Sequence, residues 1–443
     1  MKTPIYDFVR QYADSAAIRM HMPGHKGRGE NSPYDITEIP GADSLYLADG
    51  IILESEKNAG RLFGADTFYS TEGSSLSIRA AMLLVCELAI KKGSAPKVLA
   101  ARNVHKSFIT AAALLDFEIE WIESSSNSYL SSGVTAAAVE KALSEAMHKP
   151  TAVYITSPDY LGFAVDVRGI AAVCKKHGVL LVVDNAHGAY LKFLERSQHP
   201  IDLGADIVCD SAHKTLPTLT GGAYLHISKN ADKDLAQNAR TALATFGSTS
   251  PSYLILASLD RTNEVLAYGY REKLKATLAK INKLKDSLTA LGYLLYENEP
   301  MKIAISAKEY GYTGDKIAEH LEKSNIICEF FDRDYVVLMP SVSTTEKELD
   351  TLYSALKALP KKRAIKEEAP APVSPLRVMT PREAMMSAGE KIAAKRSLGR
   401  VLRTVTVGCP PAVPIVVSGE IITKEAIAAF EYYGIEEIDV VKR

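Results

Sequence analysis

The chain has 443 residues, 47% hydrophobic and 24% charged, with a formal net charge of −1; this allows two or three domains and excludes both the basic footprint of a nucleic-acid binder and an acidic tail. Five scattered cysteines, Cys86, Cys174, Cys209, Cys328 and Cys409, form no CxxC pair, which suits a reducing compartment better than a disulfide framework or a zinc site. The start, "MKTPIYDFVRQYADS", carries no apolar signal core and no later run offers 18 unbroken apolar residues, so the expectation is a soluble cytoplasmic protein with a small-molecule ligand and neither nucleic acid nor membrane as partner.

The first 60 residues read as irregular and rich in Gly, Pro and Asp. Then "SLSIRAAMLLVCELAIKKG" (75–93) predicts a helix closed by Gly93. Strand and helix patterns alternate from there: "KVLAA", a helix from Ser107, "TAVYITS", "VRGIAAVCKKHG", "VLLVVD", "ADIVCD" and "GGAYLHIS". Short apolar runs separated by amphipathic helices predict an α/β fold with a largely parallel sheet covered on both faces. Residues 252–290 turn helical, with a Lys-rich solvated face. After them "GYLLYEN", "MKIAISA", "TGDKIAEHLEKS", "ICEFFDRDYVVLMPS" and a helix from Thr345 predict a smaller α+β domain. "KKRAIKEE" leads into "APAPVSP", a linker composition. The expected division is an N-terminal arm and large domain over 1–275, a small domain over 276–360, a linker over 361–375 and a C-terminal domain over 376–443.

Several strand ends carry chemistry. "DSAHKTLPTLTGG" (210–222) puts Lys214 just past the run "ADIVCD", at the end of the sheet where open α/β folds bind ligands. "VLLVVDNAHGAYL" (179–191) ends a strongly apolar run on Asp184, which either caps the next turn or meets a cationic partner. "STEGSSLSIRA" (70–80) places Gly73, Ser74 and Ser75 before a helix, as an ordinary cap or as a phosphate anchor. "ARNVHKSFI" (101–109) supplies His105, a ring able to stack on a heterocycle or to serve as a structural hydrogen-bonding group. An amine, an anion anchor and a buried acid are what a chain needs to hold a phosphorylated aldehyde as an imine; the amine must be neutral to react, so desolvation or crowding by cations such as His213 favours it.

"MPGHKGRG" (22–29), "FGADTFYSTEGSS" (63–75), "RNVHKS", "TSPDYLGFAVDV" (156–167), "DNAHGAY", "GADIVCDSAHKTLPTLTGGAYLH" (204–226) and "STSPSYLILASLDRTN" (248–263) together resemble the ornithine/lysine/arginine decarboxylases in their short, bacterial form; "PREAM" and "GRVLRTVTVGCPPAVPIVVSGE" (399–420) resemble that family's C-terminal domain. The resemblance implies the type I fold of pyridoxal-phosphate enzymes: a mostly parallel seven-stranded sheet covered by helices, plus a smaller α+β domain and a C-terminal domain. It implies pyridoxal 5'-phosphate as cofactor, with 1–275 as the cofactor-binding domain. Lys214 would carry the cofactor, Asp184 would pair with its ring nitrogen and His105 would stack on the ring. Ser74, Ser75, Ser211 and His213 would surround the phosphate. Ala186 would pack beneath the ring and His187 would stand near its phenolic side. Thr249 and Ser250 would reach the phosphate of a neighbouring subunit, so the resemblance implies a homodimer or higher homo-oligomer with shared active sites.

The implied reaction is decarboxylation of arginine, lysine or ornithine to the corresponding di- or polyamine, with Lys214 or His213 returning the proton. The implied catalytic set is Lys214, His213, Asp184 and His105. Another reaction on the same cofactor, transamination or elimination, shares the fold. A catalytically weak regulatory or assembly protein is the remaining alternative. The chain departs from the family's usual residues at Asn185, Tyr190, Gly221, Gly222, Cys409 and Ala412. Asp43 and Glu420 are the carboxylates considered for reading the basic side chain. No metal is expected, because Pro23 and Gly24 interrupt the helix that would bring His21 and His25 together, and "GHKGRG" neither follows a strand nor opens a helix as a dinucleotide fingerprint must.

Overall fold

A computed structural model describes residues 1–30, 32–124, 126, 128–131, 133–296, 299–409 and 413–443, with the side chain of Cys409 outside the description. Ala412 therefore lies outside the described residues, and so does the part of the departure at Cys409 that concerns its side chain.

Seven strands form the main sheet: β1 (Ala65–Ser70), β2 (Lys97–Ala100), β3 (Glu118–Trp121), β4 (Ala152–Thr156), β5 (Leu180–Asp184), β6 (Ile207–Asp210) and β7 (Ala223–Ser228), in the order β1-β7-β6-β5-β4-β2-β3. β5 and β6 are parallel with Asp184 opposite Cys209, whereas β7 runs antiparallel to both β1 and β6. The expected mostly parallel seven-stranded α/β sheet is thus present. β6 is buried along its whole length and β5 from Leu181 onward, which explains their unbroken apolar character up to a terminal aspartate. Each such Val or Leu contributes about 1.5–3 kcal/mol by leaving water.

Local signals set the helices that precede the site strands. Asp166 caps Val167–His177 by accepting from the Gly169 N–H (3.0 Å); Lys175, Lys176 and His177 face the helix's negative end, and Gly178 (φ +61°) turns the chain into β5. Gly73–Lys91 is long and apolar enough to cross a membrane by length and composition, but it lies mostly buried inside the fold. The N-terminal stretch differs from expectation, with helices at Pro4–Ala13 and Ile51–Phe63. The second begins at Gly50, where Asp43 accepts from the Gly50 and Ile52 N–H groups (2.9 Å each). That cap comes from outside the helix, so a local pattern hides it.

The chain divides into two compact units. One comprises Met1–Leu99, Val139–Ile155 and Asp166–Glu272; the other comprises Ala100–Ala138, Thr156–Val165 and Lys273–Arg443. The second unit contains a sheet of β8 (Leu294–Leu295), β9 (Ile303–Ser306), β10 (Phe330–Phe331) and β11 (Tyr335–Leu338), ordered β10-β11-β9-β8. The helix Glu346–Ala358 beside it starts on a capping box of Thr345 and Glu348. The C-terminal segment pairs β12 (Gly389–Ala393) with β15 (Glu437–Val441), and β13 (Thr406–Cys409) with β14 (Val413–Val417), around Ile415, Val416, Ile422 and Phe430. Residues 361–375 form no helix or strand, yet Ile365 N–H donates to Lys308 O (3.0 Å) and Val373 N–H to the Tyr129 hydroxyl (3.2 Å).

Candidate active site

β6 ends at Asp210 and the chain turns at once into the short helix Ala212–Thr215. Lys214 lies on that turn, partly buried, with Nζ 3.0 Å from His187 Nε2. β5 ends one strand away at Asp184, which is almost fully buried. The parallel register therefore sets Asp184 beside the start of the lysine turn. Asp184 accepts from Tyr154 Oη (3.3 Å) and from the Ala186 N–H (3.2 Å), both neutral donors. Burial raises its carboxyl to about 6, opposed first by the nearby Lys214 ammonium. The two sequence readings of Asp184 are compatible: it caps the turn and, among the described residues, is a buried carboxylate without a hydrogen-bonded cation.

The first turn of the helix Gly73–Lys91 has no side-chain cap; the Gly73 N–H is taken by Gly221 O, and the N–H groups that follow it are the ones placed to meet an anion. Ser74 is not a cap: its Oγ accepts from the Ser211 hydroxyl (2.7 Å), which joins this helix to the lysine turn, and both serines are buried. Ser75 follows, half-buried. The glycine pair that departs from the family closes the same cradle. Gly221 O accepts from the Gly73 N–H (2.7 Å), while Gly222 O accepts from His213 N–H (3.1 Å) and from His213 Nδ1–H (3.0 Å). Gly221 adopts φ +97°, and a Cβ there would stand 2.7 Å from Thr71 O. No other residue fits that position without strain.

An amine beside an imidazole, paired serines under an uncapped helix, and a buried carboxylate fit a phosphorylated pyridine aldehyde. Ala186 is buried two residues past Asp184, as a contact beneath a ring requires. His105 lies in the second unit, at the N-terminus of the helix Lys106–Leu115. There its Nδ1 accepts from the Ser107 N–H (3.2 Å), so the structural role is present whatever the ring also does. Thr249 and Ser250 are exposed on a loop whose Ser248 N–H donates to Glu72 Oε1 (2.6 Å).

Both carboxylates considered for substrate reading are engaged elsewhere. Asp43 gathers the N–H groups of Ser44, Asp49, Gly50 and Ile52. Glu420, fully buried, takes a bidentate bond from Arg102 (2.7 Å to each oxygen) and the Val417 N–H (2.9 Å). Their acceptors are filled by the fold itself, so neither is a free anion for a substrate. Sequence reasoning missed Tyr154, Asp210, His199 and His226; polar residues inside the apolar runs "TAVYITS", "IVCD" and "AYLHIS" were the signal for three of them. His21 and His25 stand in turns rather than on a helix, and His25 pairs with Asp35 (3.1 Å).

The family description "Orn/Lys/Arg decarboxylase, major domain" matches residues 3–303. The chain belongs to the Orn/Lys/Arg decarboxylase family. It is 31% identical to the arginine decarboxylase of Bacillus subtilis (strain 168), over 96% of this chain and 92% of that protein. It is 30% identical to the arginine decarboxylase of Halalkalibacterium halodurans, over the same shares of the two chains, 96% and 92%. The crystal structure of the Francisella novicida lysine decarboxylase LdcF superposes with a TM-score of 0.81 over 99% of this chain and 81% of that one, at 16% sequence identity, a likeness of fold. The fold class and the expectation of an amino-acid decarboxylase agree with this membership.

Proposed function

We propose that the protein decarboxylates a basic amino acid to the corresponding di- or polyamine and CO2 with pyridoxal 5'-phosphate as cofactor, and that arginine comes before lysine and ornithine as substrate. The order rests on the names of the relatives near 30% identity. The observation that carries the reading is the pairing of Lys214 with His187 beside an Asp184 whose hydrogen-bond donors among the described residues are neutral.

When bound, pyridoxal phosphate supplies a carbonyl for amine attachment and a protonated ring that accepts the electrons of the breaking Cα–carboxylate bond. Lys214 would hold it, with His187 Nε2 positioned to take a proton from Nζ and leave the amine neutral. Asp184 would accept the ring N–H, and its burial makes a cation welcome there. Ser74, Ser75, Ser211, His213 and the leading N–H groups of Gly73–Lys91 would hold the phosphate, with Ala186 and His105 flanking the ring. Lys214 or His213 would return the proton to Cα. Thr249 and Ser250 would serve the site of a second subunit in a cytoplasmic homodimer. The domain boundaries at 275, 360 and 375 belong to the same reading.

The purified protein is incubated with arginine, lysine and ornithine in turn, with CO2, amine and keto acid measured. CO2 and amine from at least one, with arginine fastest and no keto acid, is the expected result. Keto acid formation, or no CO2 from any of the three, overturns it.

A further inference from the structure

Three neighbouring strands and the residue that follows a fourth contribute polar side chains to a hydrogen-bonded row that crosses the buried sheet. Thr67 lies on β1, His226 on β7 and Asp210 at the end of β6; Asn185 follows β5 directly, and β1-β7-β6-β5 is the order of the sheet. Thr67 Oγ1 is 2.8 Å from His226 Nδ1, His226 Nε2 is 3.2 Å from Asp210 Oδ2, and Asn185 Nδ2 donates to Asp210 Oδ1 (2.7 Å). His199 joins from the loop before Pro200, with Nε2 2.9 Å from Asp210 Oδ2. His199, Asp210, His226 and Asn185 are completely buried.

The protons along the row follow from its donors. Ile201 N–H donates to His199 Nδ1 (3.3 Å), so His199 carries its hydrogen on Nε2 and gives it to Asp210. His226 faces the same oxygen with Nε2–H, which leaves its Nδ1 to accept from the Thr67 hydroxyl. Asp210 thus receives three side-chain donors. Burial alone would raise its carboxyl, and the His199 and His226 bonds outweigh that, holding it well below the usual range. His199, Asp210 and His226 lie close enough to suggest a metal triad, but a protonated His199 Nε2 is a donor and no ligand.

We propose that Asn185 and Asp210 are positioning residues for the decarboxylation site, fixing Asp184 against the turn that carries Lys214. The inference rests on the functional reading above. Asn185 adjoins Asp184 and Asp210 opens the lysine turn, at the ends of adjacent strands where the parallel ladder stops. The Asn185 N–H donates to Cys209 O (2.9 Å) and its amide to Asp210, so the side chains add one rung beyond the backbone pairing. The chain then folds tightly over Asn185: a Cβ on Gly188 would stand 2.0 Å from its Oδ1. An ionised carboxylate at 185 could not donate to an ionised Asp210, as the Asn185 amide does.

Two substitutions test this. Asn185→Ala removes the rung; Asn185→Asp keeps a donor only while the new carboxyl holds a proton. Asp210 faces that carboxyl; the titratable groups that act on Asp210 are Asp184, Cys209, Tyr224, His199 and His226, with Lys192 acting on His226 and Lys214 on Asp184. Asn185→Ala should lower kcat about tenfold with KM little changed, and shift the pH midpoint of the lysine-bound cofactor's visible band by about one unit. Asn185→Asp should approach the wild-type kcat near pH 5.5 and lose about tenfold by pH 8 as the shared proton leaves. In cofactor-free protein its melting temperature should fall, relative to the wild type, over the same rise in pH. The new carboxyl at 185, buried against the Asp210 carboxylate, would have a raised folded-state pKa, so stability present at low pH would disappear as pH climbs. An Asn185→Ala protein with unchanged kcat and band midpoint, or an Asn185→Asp protein whose kcat and melting temperature track the wild type at every pH, overturns the proposal. A wild type that binds no cofactor and releases no CO2 would instead sink the decarboxylase reading, and the cofactor-free melting comparison would still judge the row.

Discussion

Asp184 in the first unit and Glu420 in the second are both buried carboxylates, and they are completed in opposite ways. Glu420 faces a guanidinium that fills both oxygens and also receives a backbone N–H, so its charge is balanced inside the chain. Asp184 has a tyrosine hydroxyl and one N–H, and burial pushes its carboxyl up to about 6. A saturated anion holds structure together; Asp184, near the Lys214 ammonium but without a hydrogen-bonded cation among the described residues, is the one proposed to meet a cofactor cation. This contrast separates the two better than their shared burial or their motifs do.

The contrast can be broken at several points. Lys214→Ala should abolish turnover and the borohydride-sensitive visible band, and retained activity would remove Lys214 from the centre of the site. Glu420→Ala should destabilise the protein by about 3–5 kcal/mol in urea unfolding, because Arg102 is left buried and unpaired. The refolded variant should keep its KM for the basic amino acid; a raised KM without loss of stability would return Glu420 to substrate reading.

Asp184→Asn should act in the other direction on cofactor-free protein. The folded-state pKa of Asp184 lies above the ordinary value, so the native state is favoured at low pH and loses that contribution as pH rises from about 4 through about 6. The amide variant should therefore be more stable than the wild type at pH 7.5, by on the order of 2 kcal/mol, and less active once cofactor is supplied. Equal melting temperatures at pH 7.5 would show that Asp184 is already balanced. Gly221→Ala should have the mildest effect, about 1–2 kcal/mol of stability. The lost register with Thr71 and Gly73 should also weaken inorganic phosphate binding to the cofactor-free protein.

The strand-end places of Lys214 and Asp184 were legible from apolar runs: Asp184 closes β5, and Lys214 lies on the turn that follows the end of β6 at Asp210. Ser74 was legible as a helix-start serine, although its bond to Ser211 required knowing that residues 137 positions apart meet. The row from Thr67 to Asn185 was invisible for the same reason. Its members come from β1, β7, β6 and the end of β5, strands whose adjacency is set by the strand order rather than by spacing in the chain. Asp43 looked like a spare carboxylate because its φ of +71° and the helix start it caps are tertiary features.

Among the described residues β1 pairs only with β7, so residue 65 must wait until residues 223–228 have been made before its backbone is satisfied. At typical elongation rates that interval is roughly 10 to 30 seconds. During it an edge strand and the apolar helix Gly73–Lys91 are out of the ribosome without their cover. Such a nascent chain is a substrate for holdase chaperones and prone to aggregation when synthesis outruns folding. Slowing translation between residues 70 and 220 lengthens that exposure and should lower soluble yield, whereas a co-expressed holdase should raise it.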